Sequence, residues 1–256
     1  MFAPGLLSGR RALITGGGTG LGRAIARRYL QLGARIAICG RRLAVLEETA
    51  AALRAEIPGA DIAVYACDVR DPAAVEAMLD AVFAEGAPDI LVNNAGTNIR
   101  NRPETYKLED WHSIINTNLT SGMLASQAAY PYLKAHGCGR VINNGSMLSI
   151  FGLPLHVAYG ASKGGVVQMT KSTAAAWAAD GITVNVILPG WIDTDLTRKA
   201  RQDMAGLNDN VLARTPSKRW GLPADFEGIA AFLASDAAAF ITGVAIPVDG
   251  GYSVQG

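Results

Sequence analysis

Seven short runs along the chain are almost wholly apolar: Arg11–Thr15, Arg35–Cys39, Ile62–Ala66, Ile90–Val92, Arg140–Asn143, Thr183–Ile187 and Ala245–Val248. They do not alternate apolar with polar, as a strand with one wet face would. Near-continuous apolar runs suit strands covered on both faces, which is the situation in a parallel sheet. Between them lie segments with helical character: Gly20–Gly33, Leu43–Glu56, Ala73–Glu85, Glu109–Ala135, Val157–Asp180 and Ala224–Ser235. In Leu43–Glu56 the apolar residues recur at helical spacing with Arg and Glu opposite them. Asp71-Pro72 reads as an N-cap followed by a first-turn proline. Strand and helix alternate throughout, which predicts an α/β fold: one doubly wound parallel sheet of about seven strands, flanked by helices on both faces and joined by right-handed crossovers. No linker, repeat or low-complexity tract interrupts residues 1–256, so the chain reads as a single domain. Residues 191–223 are polar and poor in strand signals, and are expected to form a substrate lid.

Composition narrows the function classes. Half of the 256 residues are hydrophobic, enough for a large core, which excludes a mostly disordered chain. The net charge is +1. Wholesale binding to nucleic acid needs a basic surface, so no nucleic-acid partner is expected. The three cysteines (Cys39, Cys67, Cys138) are far apart and share no metal-type spacing with the three histidines. Neither a disulfide framework nor a metal site is expected, and a reducing compartment is the plain reading. Met1 to Gly9 lacks the pattern of a secretory leader, and no uncharged apolar stretch reaches the roughly 18 residues of a membrane span. These signs together point to a cytoplasmic protein.

The first chemical signal follows the first strand. Gly16-Gly17-Gly18-Thr19-Gly20-Leu21-Gly22 leads straight into a helix. Glycines there let backbone N–H groups approach a phosphate, and a helix N-terminus favours its charge. The spacing is G-x-x-x-G-x-G at Gly16, Gly20 and Gly22; the strict G-x-G-x-x-G does not fit. A purely structural turn is the alternative, but a position after strand one of an α/β chain favours an NAD(P)-binding Rossmann-type domain. An acid after the second strand would select NAD by holding its ribose 2′-OH; an arginine would select NADP by meeting the 2′-phosphate. Gly33 to Leu46 contains no acid, whereas Arg41 and Arg42 stand at the expected place. NADP(H) is therefore the favoured cofactor, with NAD(H) possible. Alternatively, both arginines are solvated residues at a helix start.

The second signal is Tyr159 and Lys163, four residues apart and so on one helix face. A phenol titrating near 10 is a poor acid or base at neutral pH, and an adjacent ammonium lowers its pKa. Such a tyrosine can exchange a proton with a substrate oxygen. With these motifs in place the chain resembles the short-chain dehydrogenase/reductase family along nearly its whole length. The resemblance rests on Thr15 to Gly22, Cys67-Asp68-Val69, Asn93-Asn94-Ala95-Gly96, Thr117-Asn118-Leu119, Gly145-Ser146-Met147, Tyr159 to Lys163, Pro189-Gly190 and Asp249-Gly250-Gly251. It implies a catalytic set of Asn118, Ser146, Tyr159 and Lys163. Tyr159 would be the proton donor/acceptor, Ser146 would steady charge on the substrate oxygen, and Lys163 would lower the Tyr159 pKa and hold the nicotinamide ribose. Asn118 would hold a water linking Lys163 to solvent; otherwise it is a helix-interior amide bonded to backbone. For the cofactor the resemblance implies Gly16, Gly18, Thr19, Gly20, Leu21 and Gly22 at the turn, and Asp68 and Val69 at the adenine. Asn94, Ala95 and Gly96 would line the groove, and Pro189, Gly190, Ile192 and Thr194 would meet the nicotinamide end.

Three local details resemble the sugar-acid branch of that family, gluconate 5-dehydrogenase and its deoxygluconate relatives: Ser146 to Ser149, Arg214 to Gly221, and the loop Thr97 to Arg102. They imply a polyol, sugar acid or similar small ketone as substrate. Arg100 and Arg102 would clamp a carboxylate, unless that loop is simply solvated. His156 and Trp191 would line the pocket, or else pack as ordinary core. A 3-oxoacyl-[acyl-carrier-protein] reductase is the alternative; an acidic carrier would need a basic docking patch, for which Arg100, Arg102, Arg198, Lys199 and Arg201 are available. A dinucleotide-sensing module without catalysis is a remote third reading, disfavoured by the intact catalytic set. Family members commonly form tetramers, so a homotetramer through the long, lightly charged helices Glu109–Ala135 and Val157–Asp180 is expected.

Overall fold

The computed structural model describes residues 2–255, apart from the Leu196 side chain. Its strands are β1 (Arg11–Thr15), β2 (Arg35–Gly40), β3 (Ile62–Ala66), β4 (Ile90–Asn93), β5 (Arg140–Asn144), β6 (Thr183–Pro189) and β7 (Ala245–Val248). All pair in parallel in the order β3-β2-β1-β4-β5-β6-β7. The helices are α1 (Gly20–Gln31), α2 (Leu43–Glu56), α3 (Pro72–Ala84), α4 (Leu108–Ile115), α5 (Ser121–His136), α6 (Val157–Trp177), α7 (Asp195–Asp203), α8 (Leu207–Arg214) and α9 (Glu227–Ala234).

The continuous apolar runs have a simple cause. Successive residues of β1 point to opposite faces, and both faces are covered. Ala12 and Ile14 enter the core built with α1, α2 and α9, through Ile25, Tyr29, Leu53 and Ala230. Leu13 enters the other core, built with α3 and α5 through Met78, Val82, Ala129 and Leu133. Neither face could tolerate polar residues, so alternation is absent. The expected cap of α3 is present: Asp71 accepts hydrogen bonds from the amides of Ala73 at 3.0 Å and Ala74 at 3.4 Å, with Pro72 beginning the helix.

One segment differs from the sequence expectation. The single helix expected over Glu109–Ala135 is interrupted by a wide π turn at Asn116–Thr120 between α4 and α5. There the hydroxyls of Thr117 and Ser121 bond back to Ser113 and Thr117 carbonyls, each at 2.7 Å, and such back-bonding deforms helices. Residues 191–223 hold α7 and α8, closed by a bridge between Ile192 and Gly221, with a small core of Ala200, Leu207, Val211 and Trp220. Trp191 and Trp220 meet edge to face at 5.6 Å and tie the two ends together.

Strand order reverses between β1 and β4. In open α/β sheets, ligands bind beyond the carboxyl ends of strands at this reversal.

Candidate active site

A cleft of about 310 Å³ opens at that position. Its floor is the turn after β1, where Gly16 takes a φ of +66° and Gly20 one of +54°, a region open to glycine at little cost. The next turn of chain packs very closely: a Cβ at Gly22 would lie 2.4 Å from the Gly16 carbonyl oxygen and 2.6 Å from Asn94 Nδ2. Asn94 fixes this approach. Its Nδ2 donates to the carbonyls of Thr15 at 3.0 Å and Gly16 at 3.1 Å, and its Oδ1 accepts from Asn144 Nδ2 at 3.0 Å. Thr19 begins α1 without capping it through its side chain, and the first turn contains no acid. The opening amides of α1 are thus left for an anion. Arg41 and Arg42 line the same cleft where β2 ends, and both are exposed. A glycine floor, a helix N-terminus and two arginines together suit a phosphate-rich dinucleotide with an additional phosphate at its ribose.

Most residues expected to touch a cofactor border this cleft: Gly16, Gly18, Thr19, Gly20, Leu21, Arg41, Arg42, Asn94, Ala95, Gly96 and Thr194. Several do not. Gly22 lies beneath the floor, where its role is close packing. Asp68 turns to Arg70, whose Nε reaches its two oxygens at 3.0 and 3.1 Å. That hydrogen-bonded guanidinium holds the Asp68 carboxyl down at about 2. Val69 is buried in the core. Cys67 lines the cleft in their place. Ile192 is likewise buried, in the core that holds Ile187 and Phe226. Pro189 and Gly190 face a second, adjoining pocket.

That pocket, of about 110 Å³, contains Ser146 and Tyr159 in its wall. Ser146 follows β5 and caps a short turn, Met147–Ser149; its Oγ accepts from the Leu148 amide at 3.1 Å. Ser149 Oγ donates to the Lys163 carbonyl at 2.8 Å and so ties the turn to α6. On α6, Lys163 Nζ lies 5.8 Å from the centre of the Tyr159 ring and donates to the Asn144 carbonyl at 2.6 Å. The ammonium is buried, and desolvation pushes Lys163 down to about 8. Burial raises the Tyr159 phenol above its ordinary value, and the Ser146 hydroxyl draws it partly back. Gly96 stands between the two spaces: a Cβ there would lie 3.6 Å from Lys163 Nζ and 3.5 Å from Asn118 Oδ1.

Asn118 sits in the π turn, and its side chain is committed. Oδ1 accepts from the Thr97 amide at 2.8 Å, while Nδ2 donates to the Thr97 carbonyl and to Ser162 Oγ, each at 3.0 Å. The π turn therefore clamps the loop after β4 to α6, beside Lys163. The amide donors are both in use, so the side chain has no proton left to give a water.

The expected substrate residues divide. Arg100, His156 and Trp191 line the pocket beside Ser146. Arg102 does not; it is exposed and pairs with Glu104. Arg214 lines the pocket instead, its guanidinium carbon 5.0 and 4.4 Å from the ring centres of Phe151 and Tyr252. Asn98, Phe151 and Tyr252 also form its walls. Asn98 and Arg214 fall in segments that the resemblance to sugar-acid enzymes marks, but their shared pocket depends on loops and helix ends far apart in the chain. His156 is pushed down to about 4 by burial and then by the nearby Arg100, so its ring is neutral at pH 7.

Comparison with known proteins agrees with this geometry. Residues 16–253 match a family model described as enoyl-(acyl carrier protein) reductase. The chain is 39% identical over 246 residues to a 2-dehydro-3-deoxy-D-gluconate 5-dehydrogenase of Bacillus subtilis (strain 168), covering 96% of this chain and 95% of that protein. It is 41% identical over 252 residues to a D-threitol dehydrogenase of Mycolicibacterium smegmatis, covering 97% and 95% respectively. A crystal structure of a gluconate 5-dehydrogenase from Burkholderia cenocepacia, in complex with NADP and tartrate, is 40% identical and superimposes with a TM-score of 0.91 over 98% of this chain and 97% of that one.

Proposed function

The chain belongs to the short-chain dehydrogenase/reductase family, and from that membership we propose that it is an NADP(H)-dependent oxidoreductase interconverting a secondary alcohol and a ketone on a polyol, sugar acid or similar small molecule. The observation that carries this reading is that Ser146 and Tyr159 line one small pocket while Lys163 Nζ lies 5.8 Å from the centre of the Tyr159 ring. NADP, when bound, supplies or accepts the hydride. Ser146 Oγ and Tyr159 Oη hydrogen-bond the substrate oxygen and hold it in place. During reduction Tyr159 gives that oxygen its proton; during oxidation it takes the proton away. Ser146 steadies the charge that grows on the oxygen meanwhile. Lys163 has one hydrogen-bond partner at Asn144, which leaves donors for ribose hydroxyls and a charge that favours the phenolate. Asn118 positions the loop carrying Thr97. Residues 191–223 act as the lid over the pocket, and the whole of 1–256 forms one cofactor-binding domain.

A relative with bound NADP and tartrate supports a polar, hydroxylated substrate. A 3-oxoacyl-[acyl-carrier-protein] reductase remains the second reading, supported by 38% identity over 244 residues to such an enzyme of Salmonella typhimurium. A panel of 5-ketogluconate, simple diketones and acetoacetyl thioesters, each with NADPH, separates the two. Turnover of the keto acid supports the first; turnover of thioesters alone overturns it. A homotetramer belongs to the same reading, supported by Met123 and Tyr132, which α5 leaves exposed.

Arg41 carries the coenzyme preference. No carboxylate borders the cleft at the end of β2, while Arg41 and Arg42 do. A charge-assisted pair with a phosphate contributes about 1.5–3 kcal/mol. Arg41→Ala is therefore expected to weaken NADPH binding by about 10- to 100-fold and to leave NADH binding nearly unchanged. Fluorescence titration of both coenzymes measures this; tighter binding of NADH than NADPH by the unaltered protein would overturn the assignment.

A further inference from the structure

The substrate pocket holds an unusual concentration of unmet polarity. Asn98 Oδ1, Arg100 Nε and His156 Nδ1 are buried without hydrogen-bond partners, and all three residues line it. Burying such atoms costs free energy unless something pairs with them. Two cations, Arg100 and Arg214, border the same space, and among the described residues no aspartate or glutamate does. A bound molecule that meets these groups must carry negative charge and several hydroxyls.

Arg214 is built for the charged end. It closes α8, and its guanidinium carbon lies 5.0 Å from the centre of the Phe151 ring and 4.4 Å from that of Tyr252. Cation–π contact with two rings set edge to face, 73° apart, holds the head of the side chain in the corner between them, where its forked N–H donors can meet a carboxylate. The side chain is thus oriented before ligand arrives, so little entropy is lost on binding.

We propose that Arg214 is the specificity-determining residue of this pocket, receiving with Arg100 the carboxylate of a short hydroxylated keto or hydroxy acid whose hydroxyls satisfy Asn98 and His156. The proposal rests on the oxidoreductase reading above and commits it to acids over neutral polyols. It also disfavours an apolar acyl chain, which would desolvate two arginines and return no pairing.

Calorimetric binding of gluconate and of glucitol, its neutral analogue, to protein saturated with NADPH tests this without any turnover. The unaltered protein is expected to prefer gluconate. Arg214→Gln should reduce that preference by about 10- to 100-fold, the scale of a lost charge-assisted pair. Arg214→Lys should restore only part, since an ammonium lacks the forked geometry. NADPH titration checks the fold of each variant, and Arg214→Met replaces the glutamine variant if that one does not fold. Equal affinity of the unaltered protein for the two ligands, or an undiminished preference in Arg214→Gln, overturns the proposal. Loss of preference in a protein that turns over no ketone upholds the anion site and overturns the oxidoreductase reading. Turnover of neutral ketones with preference intact does the reverse.

Discussion

Tyr159→Phe is expected to lower kcat for ketone reduction by about 10²- to 10⁴-fold, the range supplied by a positioned acid or base. The substitution deletes one oxygen and keeps the ring, so the edge-to-face contact with His156 at 6.4 Å survives. Residual turnover would come from Ser146 and from correct positioning. Steady-state kinetics at saturating NADPH measure the loss, and thermal melting confirms that the variant is folded. A variant retaining full turnover would remove Tyr159 from the chemistry.

Lys163→Met is expected to have a comparable effect on kcat, about 10²-fold or more, and to move the pH profile as well. Burial raises the Tyr159 phenol, which alone would leave little phenolate near neutral pH. Lys163, pushed down to about 8 by desolvation, still carries charge below that pH and favours the phenolate. Two such neighbours titrate as a pair, so the profile reports the pair. Oxidation of an alcohol needs the phenolate and is expected to speed up as pH rises. Reduction needs the phenol proton and is expected to slow down. Removing the ammonium raises the phenol further, so the oxidation limb should shift to higher pH in Lys163→Met. Methionine fills a similar volume, which separates loss of charge from loss of packing. An unshifted limb would mean that Lys163 does not set the Tyr159 pKa.

The sheet was legible in the sequence because strands covered on both faces must be apolar at every position, as Ala12, Leu13 and Ile14 show by entering two different cores. The glycine turn was legible for a similar reason: a Cβ at Gly22 has no room, so the constraint is written at the position itself. The pair Tyr159 and Lys163 follows from helical spacing. What could not be read depends on distant neighbours. Arg100 and Arg102 look alike in sequence, yet Glu104 draws Arg102 outward and Arg100 turns into the pocket. Arg214 becomes a pocket residue only because Phe151 and Tyr252, each more than thirty positions away in the chain, supply its two aromatic contacts. The role of the π turn was hidden as well, since Asn118 ties the loop after β4 to α6 only by reaching Thr97 and Ser162, 21 and 44 positions away in the chain. The helices of residues 191–223 are anchored by two tryptophans near the segment's ends, and their helical pattern is short and polar.

The central claim is that this protein passes hydride between nicotinamide and a carbinol carbon while Tyr159 handles the proton. Incubating it with NADPH dideuterated at C4 and with a ketone that it turns over, 5-ketogluconate first, tests that claim most directly. Mass spectrometry of the alcohol product is expected to show one deuterium on the new carbinol carbon, with the rate collapsing in Tyr159→Phe. A product that takes this hydrogen from solvent, or a failure to consume NADPH with any ketone of the panel, would contradict the account.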